Sequence, residues 1–262
     1  MLVVRAPFRA SLLGGGTDIP WFFEANGGGA VISGAINKYI YLSVHPLFDS
    51  SDILLKYSKI ERVAQASALE HPIARAVLSE MGISGLDLSV SADVPAGTGL
   101  GSSSAFTVGL IHLLNAYSNQ EISKENLAGE ACRIEIEVLR EPIGKQDQFA
   151  SAYGGLNLIT FGEEGGVRVS QINLDAQSLE WLNSSLLLVR IGAESRSASE
   201  VLSYQRNYSL DSESAILGLN ELRDLTLESV SEIERDIRFL GKKLQLGWGL
   251  KKKSHPHANM SE

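Results

Sequence analysis

A single cysteine, Cys132, occurs in 262 residues. That excludes an intramolecular disulfide and a zinc site built from cysteines. The five histidines are His45, His71, His112, His255 and His257; only the last two lie close together, and no HExxH-like spacing occurs. A histidine metal centre is therefore not expected. No run approaches the roughly 18 consecutive apolar residues of a membrane span. Basic residues are the scarcer charge, 23 against 31 acidic, for a formal net charge of −8. This balance argues against bulk electrostatic capture of nucleic acid or of an anionic membrane. It does not exclude a local cluster of arginine and backbone N–H groups around a small anion. The opening MLVVRAPFRASLLGGG holds an arginine in its apolar run and turns glycine-rich at once. It reads as a strand and a loop, not as a secretory signal, so a cytoplasmic protein is expected.

What the chain does contain is ordinary for a globular protein, with 44% apolar and 21% charged residues. Patterning predicts a strand over Leu2–Arg5 and a glycine-rich loop from Ala6 to Asp18. Further strands are expected at Ala30–Ser33, Lys38–Val44 and Ile53–Tyr57, where β-branched and aromatic residues gather. His71–Met81 reads as a helix stopped by Gly82. Leu86–Ser91 alternates as a half-buried strand does. Helical spacing follows from Phe106 to Tyr117 and again over Ser123–Leu139, with Ser123 as N-cap and Cys132 a buried helix residue. Gly154–Phe161 and Val167–Ile172 read as paired strands around EEGG, and Leu186–Ile191 as a buried strand. Residues 196–253 look almost wholly helical, which places a domain division near residue 175. Tyr57, Trp181 and Trp248 read as packing residues, Lys251–Lys253 as a helix C-terminal charge cluster, and the last residues as a solvated tail.

Three clusters carry chemistry. PAGTGLGSSSA (95–105) leaves a strand and enters a helix, so its N–H groups and the helix dipole favour an anion. Glycine lets backbone approach a ligand closely, and serine hydroxyls add donors. The loop lacks the lysine of GxxxxGK[ST] and the spacing of GxGxxG, and the chain has no HRD or DFG element. The residue types alone leave two readings, a phosphate loop and a structural strand–helix turn. In APFRASLLGGGTD (6–18), Arg9 precedes three successive glycines, whose entropy cost suggests close approach of backbone to something. Arg9 suits an anion and Asp18 sugar hydroxyls; a flexible turn with a surface arginine is the alternative. In EIEVLREPIGKQDQFAS (135–151), Asp147 follows the end of a carboxylate-bearing helix. That placement suits a base or a metal ligand, though a turn aspartate explains it equally.

Together, in this order and spacing, the clusters resemble the GHMP kinase superfamily of sugar and small-alcohol kinases. PAGTGLGSSSA is similar to its ATP loop, P-x-x-x-G-L-G-S-S-A-A, and GGGTD stands where galactokinases show G-E-H-T-D. GGGTD, KYSKIE (56–61) and GKQDQFASAYGGLN (144–157) resemble the sugar-1-kinases acting on D-glycero-D-manno-heptose 7-phosphate. The resemblance implies an α+β, two-domain GHMP kinase fold. Its N-terminal domain (1–175) would be ribosomal-protein-S5-like, and its C-terminal domain (176–262) ferredoxin-like, incomplete and mostly helical. The implied activity is ATP-dependent phosphorylation of an anomeric hydroxyl with Mg²⁺, on a small sugar or sugar phosphate. The alternatives are a galactose- or fucose-type 1-kinase and an impaired, kinase-like binding protein.

The same resemblance implies that Pro95, Gly97, Gly99, Leu100, Gly101, Ser102, Ser103 and Ser104 hold the ATP phosphates. Ser103 and Glu135 would ligate Mg²⁺, with Glu137 the competing assignment. Asp147 would be the base and Arg9 the arginine that positions it and stabilises charge. Gly15, Gly16, Thr17 and Asp18 would line the sugar pocket. A phosphorylated acceptor also needs a cation, for which Lys38, Arg140 and Lys145 are candidates. Members of the family continue into a further, GAGGGG-like segment, which is not found here; the resemblance runs to LQLGWGLKKK (244–253). The second domain is therefore expected to lack part of its sheet and to leave helix faces in 213–239 and 241–253 less covered. Three explanations stand: a truncated chain, completion by another chain as in a homodimer, and a short form without activity.

Overall fold

Strand β1 runs from Leu2 to Leu13, longer than its opening residues predict, because Ala6, Phe8 and Leu13 are buried at intervals along it. The loop expected from Ala6 is thereby confined to the glycines, and Arg9 stands on a strand. These positions, and those below, belong to a computed structural model that describes residues 1–48, 50–189 and 212–254. The mixed α+β chain divides into two compact units. The first comprises Met1–Arg9, Ala35–Pro142 and Asp147–Gly154; the second comprises Ala10–Gly34, Ile143–Gln146 and the described residues from Gly155. These units interleave along the chain, whereas the sequence division at residue 175 cuts it once. Strands β1 and β2 (Gly29–Pro46) contribute residues to each unit. The two strands expected at 30–33 and 38–44 are thus parts of one. Between β1 and β2, Pro20 opens the short helix α1 (Pro20–Phe23), a first-turn position that proline suits.

In the first unit the strand order is β4 (Ile60–Val63), β3 (Ile53–Lys56), β5 (Leu86–Ala92), β2. β3 runs parallel to β5, pairing Ile53 with Leu86; β2 is antiparallel to β5, pairing Leu42 with Val90. Helix α2 (Pro72–Met81) starts where the His71 ring accepts from the Ala74 N–H, and stops at Gly82, whose φ of 64° is left-handed. Both ends follow the sequence signals. Helix α3 (Ser102–Tyr117) is buried continuously from Ser104 through Ile111, and again at Leu113 and Leu114. That is the signature of a helix enclosed on most sides. Gly109 lets it approach β2, since a Cβ there would stand 2.6 Å from Leu42 Cδ1. Helix α4 (Lys124–Cys132) is capped by Ser123 and widens into a π-type turn over Arg133–Val138. Cys132 is buried as expected.

In the second unit, Gly29–Gly34 of β2 pairs antiparallel with β6 (Leu156–Phe161), which pairs with β7 (Val167–Gln171) around the EEGG turn. Leu13, Ile32, Ile172, Ile233, Ile237 and Leu240 form its core. The helices Ala176–Ser185, Glu213–Arg235 and Phe239–Ser254 complete it. The expected strand at 186–191 does not form over Leu186–Val189, which is irregular, with Leu187 87% exposed. An apolar run becomes a buried strand only where another strand pairs with it, and none does so among the described residues. Residues 190–191, 196–211 and the tail from 255 lie outside the described residues. Trp181 and Trp248, expected in packing, keep 37% and 43% of their surface exposed. No helix among the described residues is long and apolar enough to cross a membrane.

The close approach of α3 to β2 sets a test. Gly109→Val should lower stability by about 1–3 kcal/mol through overpacking against Leu42, read as a lower urea midpoint with an unchanged slope.

Candidate active site

The loop after β5 takes its shape from three glycines. Gly97, Gly99 and Gly101 have φ of 75°, 74° and 75°, in the left-handed region that other residues avoid. Gly101 caps α3, and the first helical bond is Ala105 N–H to Gly101 O at 2.9 Å. The N–H groups of Ser102, Ser103 and Ser104 consequently precede the helical ladder, at the positive end of a 16-residue helix. Pro95, Gly97 and Gly99 are exposed and Leu100 is half-buried. Such a strand–glycine loop–helix leaves backbone N–H groups at a helix N-terminus, an environment that favours an anion.

Arg9 joins this loop to Asp147. Its Nε donates to Asp147 Oδ1 at 2.6 Å and its Nη2 to Oδ2 at 2.7 Å, while Nη1 donates to the Gly99 carbonyl at 2.7 Å. The Arg9 backbone N–H donates to Leu100 O at 3.1 Å. This fork-to-fork pairing fixes a carboxylate in a plane as well as in place. The pair is partly buried, with 13% and 18% of the side chains exposed. A side chain on Gly101 would be strained by its left-handed φ and would crowd the pair, because a Cβ would fall 3.2 Å from Asp147 Oδ2 and 3.3 Å from Arg9 Cγ. The sequence places Asp147 in a loop; in the structure it lies in the first turn of helix α5 (Gln146–Tyr153), where an acidic residue suits the helix dipole.

A second carboxyl group lies in the same unit. Glu135, 1% exposed, sits in the π-type turn, a distortion often found at functional sites. Ser103 Oγ donates to its Oε1 at 2.8 Å and Gln148 Nε2 to its Oε2 at 2.6 Å. Burial pushes the Glu135 carboxyl above the usual range, against the hydrogen bonds of Ser104, Ser103 and Gln148. Glu137 is exposed, so of the two sequence candidates Glu135 is the one that meets Ser103. A hydroxyl and a carboxylate oxygen this close, with the buried Gln148 Oε1 lacking a protein partner, are donors that fit a hard cation such as Mg²⁺. Ser104, expected on ATP phosphates, is 2% exposed and its side chain bonds Glu135, leaving its backbone N–H for that role.

The GGGTD segment belongs to the second unit. Gly14 has φ of 82°, and a Cβ on it would fall 1.9 Å from Ala30 O. Thr17, wholly buried, bonds the Gly14 and Ala30 carbonyls at 2.9 Å and accepts from Ala30 N–H at 3.1 Å. Its hydroxyl is therefore engaged within the turn, which it locks. Asp18, 2% exposed, accepts from Gly16 N–H at 3.0 Å, Gln146 Nε2 at 3.1 Å and Gln146 N–H at 3.3 Å. A Cβ on Gly144 would stand 1.8 Å from Asp18 Oδ2, which accounts for the glycine of GKQDQ. Gly15 is the half-buried member of the run. Sequence reasoning misses the roles of Gln146 and Gln148, although both flank Asp147 in the quoted motif; an amide reveals no role until its partner is known.

Fold and site together define an α+β protein with a glycine–serine loop at a helix N-terminus beside an arginine-clamped aspartate. Residues 60–155 match the family model described as GHMP kinases N terminal domain. The fold is that of a D-glycero-D-manno-heptose 1-phosphate kinase from Bacteroides thetaiotaomicron, with a TM-score of 0.78 and 22% identity over 97% of this chain and 80% of that one. A D-glycero-alpha-D-manno-heptose 7-phosphate kinase of Campylobacter jejuni subsp. jejuni is 29% identical over 194 residues, 70% of this chain and 56% of the relative. A galactokinase of Thermotoga petrophila is 29% identical over 158 residues, 58% of this chain and 43% of the relative. The chain thus spans about half the length of these curated relatives.

Two substitutions test this construction through stability. Thr17→Val keeps the shape but strands buried backbone groups, and should cost about 1–3 kcal/mol in urea unfolding. Gly101→Ala forces a side chain onto a left-handed cap and the Arg9–Asp147 pair, so its melting temperature should fall; Gly129→Ala, with open space around it, should not lower it.

Proposed function

We propose that this protein is an ATP-dependent sugar kinase that phosphorylates an anomeric hydroxyl, with D-glycero-D-manno-heptose 7-phosphate as acceptor and the 1,7-bisphosphate as product. The observation that carries the reading is the clamp of Arg9 on both oxygens of Asp147 and on the Gly99 carbonyl. The likeness to the heptose 7-phosphate kinase supports the choice of acceptor.

Asp147 accepts the anomeric proton as that oxygen forms its bond to the γ-phosphorus of ATP and the bond to ADP breaks. Each Asp147 oxygen bonded to Arg9 retains a second lone pair, so the clamp does not block this role. An anomeric hydroxyl is more acidic than an ordinary alcohol, and a carboxylate base suffices. Phosphoryl transfer passes through a loose transition state that needs alignment and charge neutralisation more than covalent help. The N–H groups of Ser102, Ser103 and Ser104 face that charge from the α3 N-terminus. Ser103 and Glu135 would hold Mg²⁺, which supplies further neutralisation. Gly15, Gly16 and Asp18 contribute to the sugar pocket, Thr17 through the turn that it locks.

The galactokinase relatives favour one alternative within the class, a kinase for free galactose. A coupled assay of ADP release over a panel of sugars separates the two. Turnover with heptose 7-phosphate is expected; turnover with galactose and none with heptose 7-phosphate overturns the acceptor. Asp147→Asn should lower kcat by about 10²–10⁴-fold and, because it breaks the two-point Arg9 pair, lower the melting temperature as well. An unchanged kcat refutes Asp147 as the base.

A further inference from the structure

Helix α5 is pinned on two faces inside the first unit. Asp147 and Ser151, four residues apart and so on one face, hold it to β1. Asp147 takes the Arg9 fork, and Ser151 Oγ donates to Pro7 O at 3.0 Å. Gln148 follows Asp147 by one residue, a step of about 100° around the helix, and reaches the π-type turn instead. Its Nε2 donates to Glu135 Oε2 at 2.6 Å, while Ser103 Oγ donates to the other oxygen of that carboxyl group at 2.8 Å. Gln148 is wholly buried, and its Oε1 meets no donor among the described residues. An orphaned carbonyl oxygen at full burial is a cost. Packing alone therefore does not explain a glutamine here, since methionine would fill the same length without that cost.

We propose that Gln148 is a positioning residue that holds Glu135 for a divalent cation and couples that carboxylate, through one helix, to the base Asp147. The inference rests on the kinase reading and adds to it a residue that acts through Glu135. Outer partners of this kind orient a ligand carboxylate and set its affinity for metal. The choice of an amide follows from charge. A lysine or arginine at this position would neutralise Glu135, and a carboxylate would repel it. The neutral amide fixes the carboxyl group and leaves its charge for a cation. Oε1 adds an oxygen beside the same carboxyl group, an acceptor of the kind that a hard cation and its retained waters satisfy. Because Asp147 and Gln148 are consecutive on α5, a shift of the helix that moved the base would also move the support of the cation donor.

Two measurements on the whole chain test this role. Calorimetric titration of ADP in EDTA and in Mg²⁺ reads the cation site without turnover. Wild type should bind ADP more tightly with Mg²⁺, and Gln148→Met should lose that gain while its affinity in EDTA is unaltered. In steady-state kinetics, Gln148→Met should raise the Mg²⁺ concentration for half-maximal rate about 10–100-fold. KM for the sugar should change little, and saturating Mg²⁺ should restore kcat. A kcat lowered at every Mg²⁺ concentration, with an unaltered metal requirement, marks a merely structural role and overturns the proposal. So does a wild type whose ADP affinity ignores Mg²⁺. If Gln148→Met does not fold, Gln148→Glu carries the test, because it keeps the length but sets a second carboxylate against Glu135. Mg²⁺ should raise its melting temperature more than that of wild type, and an equal rise overturns the proposal. If no sugar is turned over but the Mg²⁺-dependent gain requires Gln148, the kinase reading fails and the positioning role stands. If sugars are turned over and Gln148→Met leaves the Mg²⁺ requirement unchanged, the role fails and the kinase reading stands.

Discussion

One guanidinium group organises the candidate site. Arg9 donates through Nε and Nη2 to Asp147 and through Nη1 to the Gly99 carbonyl. A strand, a glycine loop and the first turn of a helix are therefore held by a single planar group. Lysine could not replace it, because an ammonium lacks the fixed fork that sets both position and plane of a carboxylate. The demand propagates to neighbours. A side chain on Gly101 would crowd the pair, and its left-handed φ sets the start of α3. The serines that follow then begin the helix with their N–H groups ahead of the ladder.

A second anchor acts on the same stretch of chain from the other side in sequence. Asp18 accepts from both the backbone and the side chain of Gln146, and its own carbonyl accepts from Lys145 N–H. Gln146 opens α5, so Asp18 serves that helix as a cap supplied from a remote turn. Within the second unit, the turn that carries Asp18 thus holds Gln146, the residue before Asp147 in the chain. The residue types of GGGTD suggest contact with sugar hydroxyls. The structure adds a positioning duty for Asp18 and gives Thr17 a purely internal one.

The legible parts of the sequence are those governed by local rules. Gly82 ends α2, Ser123 caps α4, EEGG turns β6 into β7, and GTGLGSSS starts a buried helix; each depends on residues within a few positions of it. The parts that mislead depend on distant partners. Glycine and proline flank Arg9 and Asp147 and suggest loops, yet burial of Phe8 keeps one on a strand and Asp18 stabilises the helix of the other. Gln148 matters through Glu135, which no spacing rule connects to it. Leu186–Val189 has strand-like residues but no pairing strand among the described ones. Of Glu135 and Glu137, Glu135 is the one that meets the loop serine, a contact that sequence spacing does not reveal.

The arrangement also redistributes the charge problem posed by a chain with net charge −8. The glycine–serine loop contains no lysine, so its positive character comes from backbone N–H groups and the helix dipole. Arg9, which the sequence presents as a stabiliser of charge, forms a pair with Asp147 whose formal charges cancel. Its contribution is chiefly geometric: it holds the Asp147 carboxylate in place and in plane.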